Sequence, residues 1–212
     1  MIEGDLDPWS DSFPAGLIPR VLDLLLAVWP TLEHTTPNEH ETAITRRFCA
    51  LLRRSQEARI LPFLIEREVP IDDEVSSGEV GRLDLKFTHG YRADVYLTFE
   101  GKRVNVVNAN GSVHRRTSEY VSEGMMRFIG GQYAGGQREG GMLAYVMDGD
   151  RTAAEKALRA IIGQRRSDLC LAAATGLDES DLRPGDVAVR QTRHDLTGRP
   201  FRIHHVLLTA RH

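Results

Sequence analysis

Two stretches, Gly81 to Phe87 and Tyr96 to Val104, alternate apolar and polar residues as strands do. The residues between them, around His89 and Gly90, are turn formers, so the pair reads as a β-hairpin. Leu83, Leu85 and Phe87 share one parity, and Val95, Leu97 and Phe99 share the matching one. Asp84, Glu100 and Lys102 are therefore expected together on the opposite face.

Elsewhere the period lengthens. Leu17, Val21, Leu24, Leu25 and Val28 recur at helical spacing, in a segment from Leu17 to Trp29 that stops before Pro30. Such a helix would cover the core or join a dimer interface. Thr35, Thr36, Pro37 and Asn38 supply cap and first-turn residues for a longer helix, from about Glu39 to Glu57. Its apolar face is Ile44, Phe48, Leu51 and Leu52, and Glu41 projects from that same stripe. A carboxylate there needs a partner, although a first-turn acid also suits the helix dipole.

Phe63 to Pro70 reads as the first strand, and Asp72 to Glu79 as an acidic solvent loop. After the hairpin, Asn105 to Val113 is a polar exit. A helix follows from about Thr117 to Tyr133. Gly124, Gly130 and Gly131 weaken it by about 1 kcal/mol each relative to alanine, which points to a close approach by a sheet or substrate. Met142 to Met147 is a strand and Ala153 to Arg166 an amphipathic helix. The connection from Asp168 to Gly185 contains alanine-rich helical residues. Val187 to Thr192 and Phe201 to Leu208 flank a turn at Thr197 to Pro200 as a terminal hairpin.

The chain has 212 residues and 41% hydrophobic content, enough for one well-buried core. Its net charge of −3 offers no general attraction for nucleic acid, so any such binding must use local patches or metal-neutralised acids. Cys49 and Cys170 lack Cys-x-x-Cys spacing and lie in apolar helical surroundings, which suggests reduced, buried thiols in a cytoplasmic protein. The acidic start and the short apolar run from Val21 to Trp29 suggest neither a signal peptide nor a membrane span. His194, His204 and His205 do not suggest zinc, because adjacent strand residues point to opposite faces.

The chemistry lies in the hairpin. Two neighbouring carboxylates both stay ionised near neutral pH only with a cation between them, and all-oxygen ligation suits Mg²⁺ or Mn²⁺. Lys102, two residues beyond Glu100, would orient a water and offset charge developing on a phosphate. Asp94 is a weaker partner, since it precedes Glu100 by six residues on one strand, roughly 20 Å away.

Asp84 followed by Glu100-Gly101-Lys102 resembles the active-site signature of the PD-(D/E)XK nucleases, the restriction-endonuclease-like superfamily. The run Tyr120 to Tyr133 and the strand Met142 to Met147 look like the helix and fourth strand that follow the Glu-x-Lys strand in some of its bacterial members. The resemblance covers residues 38 to 148 best. It implies an α/β fold with a restriction-endonuclease-like core, a mixed central sheet flanked by helices, here with an extra C-terminal β-hairpin. Residues 1–36 would form an N-terminal arm and helix, and residues 37–212 the nuclease domain.

The resemblance further implies metal ligation by Asp84, Glu100 and the Gly101 carbonyl, with Glu41 assisting directly or through water and Lys102 catalytic. Arg127, Arg193 and His194 are candidates for contacting substrate phosphate. The implied activity is Mg²⁺-dependent cleavage of DNA, with RNA as the alternative substrate, in defence against foreign DNA, by a homodimer or with a partner protein. The rival expectation is a non-catalytic or latent subunit of the same fold that binds nucleic acid or a protein partner.

Overall fold

The computed structural model describes residues 12–33, 35–36, 39–72, 79–90, 92–196 and 199–211. Residues 1–11 of the predicted N-terminal arm, the cap residues Pro37 and Asn38, residues 73–78 of the acidic loop and the turn residues Thr197 and Gly198 lie outside the described residues. A 3₁₀ turn (Ala15–Leu17) leads into α1 (Ile18–Val28), where Pro19 sits in the first turn and its missing N–H costs nothing. α2 (Glu41–Arg54) ends at Ser55, whose hydroxyl accepts from Ala58 N at 3.1 Å and so caps a separate short α3 (Gln56–Arg59). The predicted single helix from Glu39 to Glu57 is thus two.

Three antiparallel strands follow: β1 (Phe63–Asp72), β2 (Glu79–His89) and β3 (Tyr96–Val104). Beyond them, β4 (Val106–Val107) and β5 (Val113–His114) form a small ribbon of their own. The next helical segment begins as α4 (Thr117–Glu119), widens to π-helix over Tyr120–Met125, and ends as α5 (Met126–Ile129). It therefore stops short of the predicted end at Tyr133. β6 (Glu139–Val146) runs parallel to β3. α6 (Arg151–Gln164) is capped by Asp150, which accepts from Ala153 N at 2.9 Å. β7 (Asp178–Glu179), β8 (Val189–Leu196) and β9 (Arg199–Thr209) complete a seven-stranded mixed sheet in the order β1-β2-β3-β6-β9-β8-β7.

The sheet lies between two helical layers. On one face α1 and α2 bury Leu22, Leu25, Ile44 and Phe48 against Leu85, Phe99, Leu143 and Leu208. Trp29 stacks on Tyr145 with ring centres 5.4 Å apart. α1 thus covers the core. On the other face Val121, Met125, Phe128, Leu158 and Ile162 pack on Met142, Ala144, Ile203 and Leu207.

Three expectations are corrected. The C-terminal hairpin is not an extra: β9 is an interior strand, parallel to β6 and antiparallel to β8. The connection 168–185 is made of turns and β7 rather than helix. Cys170 is exposed in one of those turns, with a φ of 48°, whereas Cys49 is buried. Among the described residues, no helix is long and apolar enough to cross a membrane.

Strand alternation breaks at the candidate chemistry. Glu68 in β1 adopts a φ of 49°, and the ladder passes from the pair Arg67–Leu85 to the pair Val69–Leu83, skipping Glu68 and Asp84. Leu85 and Phe87 consequently face α1 and α2, while Leu83, Val69 and Ile71 pack on the opposite face. The expected shared parity of Leu83 with Leu85 is lost at this left-handed residue, although the register of the ladder is unchanged across it.

Candidate active site

The β2–β3 ladder runs from the pair Thr88–Tyr96 to the pair Leu85–Phe99. Continued by one step, that register sets Asp84 opposite Glu100. The main chains have parted there, and the Asp84 carboxylate takes the vacated place: its Oδ2 accepts the Gly101 N–H at 2.9 Å. The side chain so satisfies a donor that the diverging strand no longer reaches.

Glu100 points into the sheet's buried interior, its side chain 1% exposed. Its Oε1 lies 3.0 Å from Lys102 Nζ and 3.1 Å from Arg127 Nη1. Its Oε2 is buried without a hydrogen-bond partner. Lys102 Nζ also donates to Glu41 Oε1 at 3.1 Å, and the Arg103 N–H reaches Glu41 Oε2 at 3.4 Å. Glu41 thus obtains the partner its position demands. Arg127 donates to the Tyr133 hydroxyl, which donates in turn to the Arg82 carbonyl.

Burial and then the neighbouring Asp84 charge push the Glu100 carboxyl up to about 8, outweighing the pull of Lys102 and Arg127. Burial likewise raises Asp84, against the stabilising Gly101 N–H and Lys102. Burial disfavours the Lys102 ammonium, but Glu100 and Glu41 overcome it and hold Lys102 above its ordinary value. The site at neutral pH therefore has two secure cations and a buried carboxyl group that largely keeps its proton.

Two glycines let the neighbouring layers close on this cluster. A Cβ on Gly101 would stand 3.0 Å from both Thr45 Oγ1 and Tyr145 Cε2. Those two side chains are bonded to each other at 2.8 Å, and Thr45 also donates to the Glu41 carbonyl at 2.9 Å. On the other face, a Cβ on Gly124 would overlap the Met142 methyl group and approach Lys102 Cγ at 3.5 Å. Gly124 lies in the π-helical stretch, so the close approach expected of this helix is met there. Gly131 instead holds a left-handed turn, with a φ of 76° and open space around it.

Asp84, Glu100, Gly101, Lys102, Glu41 and Arg127 are thus brought together. Arg193 and His194 are not: they sit within β8, three strands from β3, rather than in a loop beside the cluster. Arg193 pairs with Asp181 at 2.5 Å. His194 is buried in a relay whose direction is set by one carbonyl. His194 Nδ1 meets Leu169 O at 2.7 Å, so it must donate, and its Nε2 then accepts from Thr192 Oγ1 at 2.7 Å. Thr192 in turn accepts from His205 Nε2 at 2.9 Å, and His205 Nδ1 accepts from Tyr120 at 2.8 Å. Thr45, Arg103, Tyr133 and Tyr145 escaped the sequence reading, because their roles arise from elements distant in the chain.

Among the described residues, no group of three or more His, Cys, Asp or Glu side chains is arranged to hold a metal ion. The donor chemistry of the smaller set nevertheless suits a hard divalent cation: two carboxyl groups opposite one another, one with an oxygen lacking any hydrogen bond. Set against known proteins, the chain matches no family model, no curated protein and no solved structure.

Proposed function

We propose that this chain is a restriction-endonuclease-like nuclease that hydrolyses phosphodiester bonds of DNA with Mg²⁺ or Mn²⁺, in defence against foreign DNA. The observation that carries the reading is the buried Glu100 carboxylate: one oxygen is held by Lys102 and Arg127 and the other has no partner, directly across from Asp84. Without an ion this incompletely satisfied carboxyl largely keeps its proton, and a cation against the partnerless oxygen would let it ionise. Further support is the order of elements, a helix, three antiparallel strands, a helix and a strand parallel to the third.

Asp84, Glu100 and the Gly101 carbonyl would hold the ion, with Glu41 assisting. Bound there, the ion would acidify a water and polarise a phosphoryl oxygen. Lys102, tethered between Glu100 and Glu41, donates to the attacking water and offsets charge on the phosphorus oxygens. Arg127 keeps a second positive charge beside Glu100 for a non-bridging oxygen of the substrate.

The second reading is a latent or non-catalytic subunit of the same fold. The observation favouring it is the network of ion pairs in which Lys102 and Arg127 already neutralise Glu100 and Glu41. Cleavage of plasmid, linear and single-stranded DNA, and of RNA, with Mg²⁺ or Mn²⁺ separates the two. The nuclease reading expects metal-dependent cutting of DNA that disappears in both Lys102→Ala and Glu100→Ala. Metal binding without cutting supports latency, and neither binding nor cutting removes the nuclease reading.

A further inference from the structure

The β4–β5 ribbon links β3, which carries Glu100 and Lys102, to the helical segment that carries Arg127. Its strands pair Val106 with His114 and Val107 with Val113, and Asn108 N donates to Ser112 O at 2.8 Å to close the tip. The tip is braced from within: Asn108 Nδ2 donates to Ser112 Oγ at 3.0 Å, and Ser112 Oγ to Asn110 Oδ1 at 2.6 Å. Residues 108–115 are all exposed, Val113 by 48%. Asn105 and Arg116 form the feet of the ribbon, with left-handed φ values of 52° and 51°, and Asn105 N donates to Arg115 O at 3.0 Å.

The charge of this segment differs from that of the whole chain. Between Lys102 and Ser118 stand Lys102, Arg103, Arg115 and Arg116 with no aspartate or glutamate, in a chain of net charge −3. Arg116 pairs only loosely with Glu119, at 3.5 Å, and the Arg103 guanidinium, besides being buried, is disfavoured by Arg116. Like charges gathered beside a cluster of carboxylates, at the root of an exposed and internally braced ribbon, suit a polyanion. A two-stranded ribbon also has the dimensions that the major groove of duplex DNA admits.

We propose that the β4–β5 hairpin is the grip on duplex DNA: it lies in a groove beside the bond to be cut, and Arg115 and Arg116 hold backbone phosphates. This deepens the nuclease reading and rests on it for the placement of the cut. Lys102 and Asn105 are three residues apart on one chain, about 10 Å at strand rise, so the hairpin's foot and the cluster engage the same short stretch of substrate.

The test is fluorescence anisotropy of a labelled 20-base-pair duplex in EDTA, across a salt series. Wild type is compared with Arg115→Ala/Arg116→Ala and with Arg159→Ala/Arg165→Ala, which removes the same charge from α6 and its C-cap. A third variant replaces residues 108–112 with glycine and serine, and thermal melts check that each is folded. The hairpin variants are expected to bind about tenfold or more weakly at 0.1 M salt. The log–log salt slope of the arginine pair should fall by about 2, close to one per lost phosphate contact. The α6 variant should bind as wild type. Unchanged binding by the hairpin variants, equal loss in the α6 variant, or preference for single-stranded RNA overturns the proposal. Hairpin-dependent duplex binding without cleavage in Mg²⁺ or Mn²⁺ upholds the grip and removes the nuclease reading; cleavage that survives in the hairpin variants with unchanged affinity does the reverse.

Discussion

Asp84 and Glu100 stand opposite one another one step beyond the last β2–β3 pair, yet each leans on a different partner. Asp84 holds the Gly101 N–H, and Glu100 holds Lys102 and Arg127. In the metal-free protein the pair avoids double ionisation by keeping a proton, which the raised Glu100 carboxyl holds near neutral pH. Asp84→Asn keeps an acceptor for Gly101 and removes one charge. Its melting temperature in EDTA should equal or exceed that of wild type, and Mn²⁺ should raise wild type only. A large loss of stability in EDTA would contradict this relationship.

The raised Glu100 carboxyl makes stability pH-dependent with a defined sign. Its unfolded value is near 4.5 and its folded value about 8, so between them the folded chain holds the extra proton. The contribution is complete below 4.5 and is lost as pH rises through 8. Glu100→Gln should therefore gain on wild type, on the order of a few kcal/mol, from pH 5 to pH 9 in EDTA. Denaturant unfolding at those two values measures it; a constant difference would show that Glu100 titrates normally.

The relay from Tyr120 to Leu169 predicts the opposite slope. Burial holds His205 and His194 below their ordinary value, so the unfolded chain takes up protons first. That contribution is present above about 6.5 and fades as the solution is acidified below it. Thr192→Val strands the His194 acceptor and the His205 donor together, at about 2 to 5 kcal/mol. Urea midpoints at pH 7.5 give the loss, and a variant as stable as wild type would mean that the relay is not formed.

Gly101→Ala should cost about 1 to 3 kcal/mol, because the added methyl meets Thr45 and Tyr145. Combining it with Tyr145→Phe and Thr45→Ala should cost less than the sum of the separate losses. Strict additivity in the unfolding free energies would rule out the contact.

The convergence of Asp84, Glu100 and Lys102 was legible because strand parity is local and the turn between the strands is short. The flip of Leu83 to the opposite face was not, since it depends on one left-handed residue, Glu68, that belongs to a different strand. β9 announced its pairing with β8 through a turn, but its neighbour β6 lies across α6 and the long connection that follows. The unbroken apolar run Val206-Leu207-Leu208 was the available sign of a strand buried on both faces. Arg193 and His194 fall just past the strand read at Val187 to Thr192, whereas β8 continues to Leu196 and takes them into the sheet. Cys170 was read from its apolar neighbours, and Leu169 and Leu171 do pack inward while the turn carries the thiol out.

The left-handed residue at Glu68 also shapes one edge of the sheet. β1 is one rim of the sheet, and an uninterrupted rim offers a row of backbone donors and acceptors on which another chain can build. Here that row is cut by a left-handed residue, flanked by the Arg67–Glu68 ion pair and followed by Pro70, while the far rim, β7, is two residues long. Neither rim presents a long flat template for another chain, an arrangement by which sheet proteins avoid edge-to-edge pairing.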